Sequence, residues 1–147
     1  MKRSKLFEKY LTKNILFVLR LIIGILFILS SFNDLYNPEY FRTSILMYKI
    51  LPVMLASITA IVLPWLEFVC GILIILNVHT KSSALILSVI LVAFIGAISL
   101  NLVRGYIHDC GCFNIFGFKE NISIFVVIRD IVLLCFTVVL SIKGEKK

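Results

Sequence analysis

The sequence predicts an all-α integral membrane protein, a bundle of four spanning helices with both termini in the cytoplasm. Three observations predict it. The 147 residues are 61% hydrophobic and only 16% charged, against roughly 25% charged in ordinary soluble domains. The mean hydropathy is +1.06. The apolar residues also gather into four runs, each near the about 20 residues that a helix needs to cross a bilayer core. Helix is the element in each run, because backbone groups in lipid must be satisfied within the segment, and no alternating barrel pattern is visible. The chain length suits a single four-span membrane domain, 1–147.

The first span covers residues 14–32. It is longer than the apolar stretch of a secretion signal and no small-residue cleavage site follows it, so it reads as a retained span. Residues 33–49 form a loop of mixed aromatic, apolar and charged character. A short interfacial helix is expected there, and Pro38 prevents it from continuing the first span. The second span, 50–76, is too long for one perpendicular crossing. Pro52 marks its start and Pro64 is expected to kink it. Spans three and four cover 83–103 and 122–142.

Charge sets the orientation. Nine of the fifteen basic residues lie in the N-terminal tail (Lys2, Arg3, Lys5, Lys9, Lys13), the 77–82 loop (Lys81) and the C-terminal tail (Lys143, Lys146, Lys147). Four lie on the other side: Arg42, Lys49, Arg104 and Lys119. Lys and Arg accumulate on the cytoplasmic side of spans, so both tails face the cytoplasm of a bacterial-type inner membrane. The net charge of +7 then reflects lipid headgroup contact and orientation. It does not indicate a nucleic-acid partner, and no nucleic-acid-reading motif is present.

The same count places Cys110 and Cys112 on the extracytoplasmic side, where disulfides form and persist. In the stretch "RGYIHDCGCFNIFG" they are separated only by Gly111. Disulfides prefer Cα atoms about 5.5–6 Å apart, so a ring this small is strained, and glycine gives its backbone the best chance. Strained, exposed disulfides are the labile and catalytic ones. Thiol–disulfide exchange is one reading, with Arg104 and Lys119 near enough in sequence to favour a thiolate. A metal site is a second, with His108, Cys110 and Cys112 as ligands and Asp109 as helper, suited to zinc or copper but lacking a fourth ligand. A third is two unrelated small residues in a loop.

Ionisable residues inside spans are functional candidates by default. Arg20 in span one and Glu67 in span two lie at similar depths from the cytoplasmic end, so an Arg20–Glu67 pair is expected, as a register clamp or with Glu67 as proton carrier or ligand contact. Arg129 and Asp130 lie about eight residues into span four, on its extracytoplasmic half. As sequence neighbours they point to different helix faces and are not expected simply to neutralise each other; Arg129 is a candidate to hold a thiolate or the anion of a reduced quinone. In "PWLEFVCG", Pro64, Glu67, Cys70 and Gly71 fall near one helical face. A buried lone cysteine is more often a small hydrophobe than a reactant, which is the reading for Cys70 and Cys135. His79 reads as solvated, and Trp65 as packing or an interface anchor.

Taken in order, these residues resemble a known family. Arg20 with Gly24, "YKILP" (48–52), "LPWLE" with Gly71, Arg104-Gly105 before "CGCF" (110–113), and Arg129-Asp130 are similar to the elements of the methylamine-utilisation protein MauE family, within the DoxX-like four-span group. The family typically reads Cys-Gly-Cys-Phe-Gly, whereas Asn114 follows Phe113 here. "SSFNDLY" also stands where the first span usually ends in glycine–lysine. The resemblance implies a redox-associated membrane protein, linked in the namesake to maturation of a disulfide-rich periplasmic dehydrogenase subunit. A four-span bundle with one outer cysteine pair is similar in plan to quinone-coupled disulfide-forming enzymes. With no second pair in the first loop, quinone must reach Cys110 and Cys112 directly, or a thioredoxin-like partner must supply the second pair. A non-enzymatic assembly factor and a metal handler remain the competing functions.

Overall fold

The computed structural model describes residues 2–105 and 124–143, with side chains from residue 13 onward. All regular structure among them is helical: α1 (Lys2–Tyr36), α2 (Pro38–Met47), α3 (Val53–Ile75), α4 (Thr80–Val103) and α5 (Ile124–Lys143). Four stretches are long and apolar enough to cross a membrane: Lys13–Tyr36, Val53–Ile75, Thr80–Val103 and Ile124–Lys143. These are the four expected spans, with ends shifted by a few residues. The chain is a multi-pass membrane protein.

Local sequence explains the boundaries. Pro38 stands at the first position of α2, where its missing N–H costs nothing, so the chain breaks at Asn37 and restarts as the expected short helix. Pro52, in extended conformation, precedes α3 and moves the start of the second span inward to Val53. Pro64 lies inside α3 without ending it, as membrane helices tolerate. Gly105 has φ +73° and its N–H bonds the Leu102 carbonyl, a left-handed stop that closes α4 just ahead of the cysteine segment.

The first span runs further than expected. Asn33, Asp34 and Tyr36 read as loop, yet α1 continues through them. Ile23, Phe27, Ser30 and Asp34 are all buried. They recur at three- and four-residue steps, so Asp34 extends the helix's inner stripe.

Each spanning helix shows such a stripe. In α3 it is Ala56, Ala60, Pro64, Glu67, Gly71 and Ile74; in α5 it is Val126, Asp130, Leu133, Thr137 and Leu140. The outward faces carry exposed Ile, Val, Leu and Phe, including Ile22, Ile61, Val89 and Ile131, a surface suited to lipid rather than water. Among the described residues α1 packs on α3 and α5, and α4 on α3 and α5. The four spans therefore form a ring, with α3 diagonal to α5. Ile23, Phe27, Ile74, Leu87, Leu91, Leu133 and Leu140 fill the centre. Helix α2 lies across the end of the bundle remote from the 76–79 turn, its Phe41 and Ile45 on Ala56 and Ala60 of α3. Tyr48, just after it, packs on Ile98 of α4 and Val126 of α5.

Two glycines set the register of α1 on α3. A Cβ at Gly24 would run into the Ile75 side chain and sit 3.0 Å from the Gly71 carbonyl oxygen. A Cβ at Gly71 would sit 2.9 Å from Cγ1 of Ile28 and 3.1 Å from the Gly24 carbonyl. Small residues let membrane helices approach this closely. Gly24→Val should cost about 1–3 kcal/mol through overpacking, seen as a lower thermal midpoint in detergent. Gly96→Ala has nothing within 4 Å to strike and should leave the midpoint unchanged or raise it.

Candidate functional site

The end of the bundle covered by α2 is also the end from which α4 leaves and α5 enters, so the segment bearing Cys110 and Cys112 joins the bundle there. Cys110, Cys112, His108 and Asp109 lie outside the described residues. Arg104 is described: it is the exposed cap of α4, its N–H bonded to the Leu100 carbonyl. The side chains buried toward this end are polar to an unusual degree for a membrane interior. Ser30, Ser31 and Asp34 come from α1, Ser44 from α2, Asn101 from α4 and Asp130 from α5.

Arg129 and Asp130 correct the expectation from helix geometry. Nε and Nη2 of Arg129 both donate to Asp130 Oδ1, each at 3.1 Å. Their Cβ atoms do point apart, but the arginine stem is long enough to bring its guanidinium back over its neighbour. Asp130 is 1% exposed and the arginine side chain 28%, so the carboxylate is interior and the cation sits at the edge.

Arg20 and Glu67 do not pair, a second correction. Arg20 Nη1 donates to Asn77 Oδ1 at 2.5 Å, and Thr80 Oγ1 lies 3.2 Å from the same oxygen. Arg20 thus clamps α1 to the α3–α4 turn. The register explains why. Gly24 meets Gly71, Arg20 lies one turn from Gly24 toward the turn, and Glu67 lies one turn from Gly71 away from it. The two are therefore about 12 Å apart along the bundle at 1.5 Å per residue. Matching depths counted from span ends assumed flush helices, and the glycine crossing offsets them.

Glu67 is 6% exposed. It lies within electrostatic reach of Asp130, its diagonal counterpart on α5, and of Cys70 one turn along α3. Cys70 is buried, near Ser83 of α4. The shared face expected of Pro64, Glu67, Cys70 and Gly71 is the buried face of α3. Cys70 and Cys135 are both free thiols, Cys135 being exposed. His79 is exposed, as expected of a turn residue, and Trp65 faces outward, its ring edge-on to Phe68. Among the described residues no three His, Cys, Asp or Glu side chains gather as a metal site would need.

Sequence reasoning missed two interior groups. Asp34, 2% exposed, was assigned to a loop; its place on the stripe from Ile23 and Phe27 was the available signal. Asn101 is fully buried, its amide donating to the Ala97 carbonyl. It closes the α4 stripe of Leu87, Leu91 and Ile98, a pattern visible only once the phase of α4 is known.

Residues 12–143 match the family model of the methylamine utilisation protein MauE. The chain belongs to the MauE family. It is similar to the methylamine utilization protein MauE of Paracoccus denitrificans, 28% identical over 120 residues that cover 81% of this chain and 64% of that one. It is also similar to the MauE proteins of Methylophilus methylotrophus (29% over 114 residues; 77% of this chain, 60% of that one) and Methylorubrum extorquens (31% over 102 residues; 69% and 54%). The chain thus spans between 54% and 64% of the length of these curated MauE relatives. No solved structure matches it.

Proposed function

We propose that this MauE-family chain passes electrons between extracytoplasmic thiols and a membrane acceptor, through Cys110 and Cys112. The observation that carries the reading is the position of Cys-Gly-Cys in the segment between α4 and α5, at the bundle end where charged and polar side chains are buried, with Arg104 and the Arg129–Asp130 pair on its two flanks. The excess of Lys and Arg at the opposite end supports an extracytoplasmic position for this segment. The relatives' name links them to methylamine utilisation, and the substrate protein here belongs to that setting under this reading.

A substrate thiolate attacks the Cys110–Cys112 disulfide and forms a mixed disulfide. The substrate's second thiol resolves it, leaving the substrate oxidised and both cysteines as thiols. A quinone then re-forms the disulfide, taking two electrons and two protons to become a quinol. Arg104, at the exposed end of α4, is a cation that can steady a thiolate near this end; a thioredoxin-like partner is the other route for the electrons.

The test is the redox state of the pair in intact membranes, read by alkylation of free thiols. The disulfide should dominate while quinone is oxidised, and both thiols should accumulate when quinone reoxidation is blocked. A pair that stays oxidised under the block is a structural staple, which favours the assembly-factor reading instead. Zinc or copper held stoichiometrically and lost in His108→Ala would favour the metal handler.

A further inference from the structure

We infer that the lipid-facing side of α1 beside Lys13 is a binding site for an anionic phospholipid, with an acyl chain along a groove over residues 14–22 and the headgroup at Lys13.

The groove has a volume of about 310 Å³ and is lined by Asn14, Ile15, Val18, Leu19 and Ile22. These positions recur at helical spacing, so they share one side of α1. That side is turned away from the bundle. Ile15, Val18 and Ile22 are exposed, whereas Ile23 is in the core and Leu16 packs against it. The groove runs about 12 Å along the helix at 1.5 Å per residue. It is long and apolar, and its polar member, Asn14, stands at the end next to exposed Lys13. The apolar span begins at that same residue. An elongated apolar groove with an amide and an ammonium at one end fits a hydrocarbon chain that carries a phosphate.

Charge selects the class of lipid. The two tails and the 77–82 loop hold nine basic residues and two acidic ones, Glu8 and Glu145. They account for the whole net charge of +7, because the other six basic and six acidic residues cancel. Arg20 ties α1 to the α3–α4 turn at this end of the bundle. Helix α1 continues unbroken from the groove back to Lys2, so Lys9 and Lys5 follow Lys13 at successive turns. A zwitterionic headgroup carries its own cation and gains little from these lysines. An anionic one gains about fivefold in affinity for each lysine near it. The same charge disfavours a second copy of the chain on this side, since like charges would meet across the contact.

The site stands independently of the thiol-exchange reading and uses none of its residues.

Native mass spectrometry of the full chain released from detergent micelles tests it, with phosphatidylglycerol and phosphatidylcholine of identical chains as separate probes. The first phosphatidylglycerol should bind more tightly than the first phosphatidylcholine. Lys13→Gln should reduce that preference about fivefold, and Lys9→Gln/Lys13→Gln should remove it. Val18→Trp, which fills the groove, should weaken both lipids. Lys146→Gln/Lys147→Gln takes the same charge from elsewhere at this end and should leave the preference in place. Circular dichroism checks that each variant is folded; if Val18→Trp is not, the lysine variants decide. Equal binding of the two lipids by the parent overturns the proposal, as does a preference that survives Lys9→Gln/Lys13→Gln. Equal loss in the two lysine pairs overturns it too, by showing diffuse attraction without a site. So does a dimer that Val18→Trp abolishes, because the occupant is then a second copy.

Discussion

Arg129→Leu is expected to destabilise the bundle by about 3–5 kcal/mol, because it removes the cation that donates two hydrogen bonds to a buried carboxylate. The asymmetry of the pair predicts which half matters more. Asp130 is 1% exposed and Arg129 28%. Removing the arginine takes its cation from a carboxylate in the interior. Removing the aspartate leaves a long cationic side chain that can reach the membrane interface by extending its stem. Asp130→Leu should therefore cost less than Arg129→Leu. The double variant should recover most of the loss, since apolar side chains of similar volume often replace a buried ion pair at little cost. Urea or SDS titration of the four proteins in mixed micelles measures this cycle. Additive losses would show that the 3.1 Å hydrogen bonds contribute nothing that depends on both partners.

How much of this was legible in the sequence depends on what kind of information each feature needs. The spans were legible because run length and hydropathy are local properties, and because Pro38 and Pro52 mark boundaries by chain chemistry alone. The buried face of α3 was legible because Pro64, Glu67, Cys70 and Gly71 recur at helical spacing. The register between helices was not. It is set by the contact of Gly24 with Gly71, a fact about two segments 47 positions apart in numbering, and it moves Arg20 to Asn77 and away from Glu67. Asp34 was hidden for a different reason: a polar residue at the end of an apolar run looks like loop, and only the phase of α1 shows that it points inward. That Glu67 and Asp130 face the interior from diagonal helices needs the order of helices around the ring, which no local pattern encodes. Arg129 and Asp130 were misread because the rule for sequence neighbours concerns Cβ directions and ignores the reach of an arginine.

Single serine variants of the cysteine pair should separate turnover from stapling with an all-or-none result. Exchange passes through a mixed disulfide between substrate and one cysteine of the pair, which the substrate's second thiol resolves in the oxidising direction and the other cysteine in the reverse direction. With Cys110→Ser, the Cys112 thiolate should attack an extracytoplasmic protein supplied in its disulfide form, opening that bond into a mixed disulfide and a substrate thiol that alkylation then blocks; with Cys112→Ser the same should hold for Cys110. The cysteine whose partner's loss gives the greater trapped yield is the attacking one, and non-reducing electrophoresis reads both. Each single variant and the double variant should lose all catalytic oxidation of the substrate, because the two-electron step needs both sulfurs. Cys70 is a useful control. It is buried with Ser83 beside it, so Cys70→Ala should leave both trapping and turnover unchanged. If neither single variant traps substrate, the pair does not exchange. The polar interior at this end of the bundle then calls for an explanation without thiol chemistry.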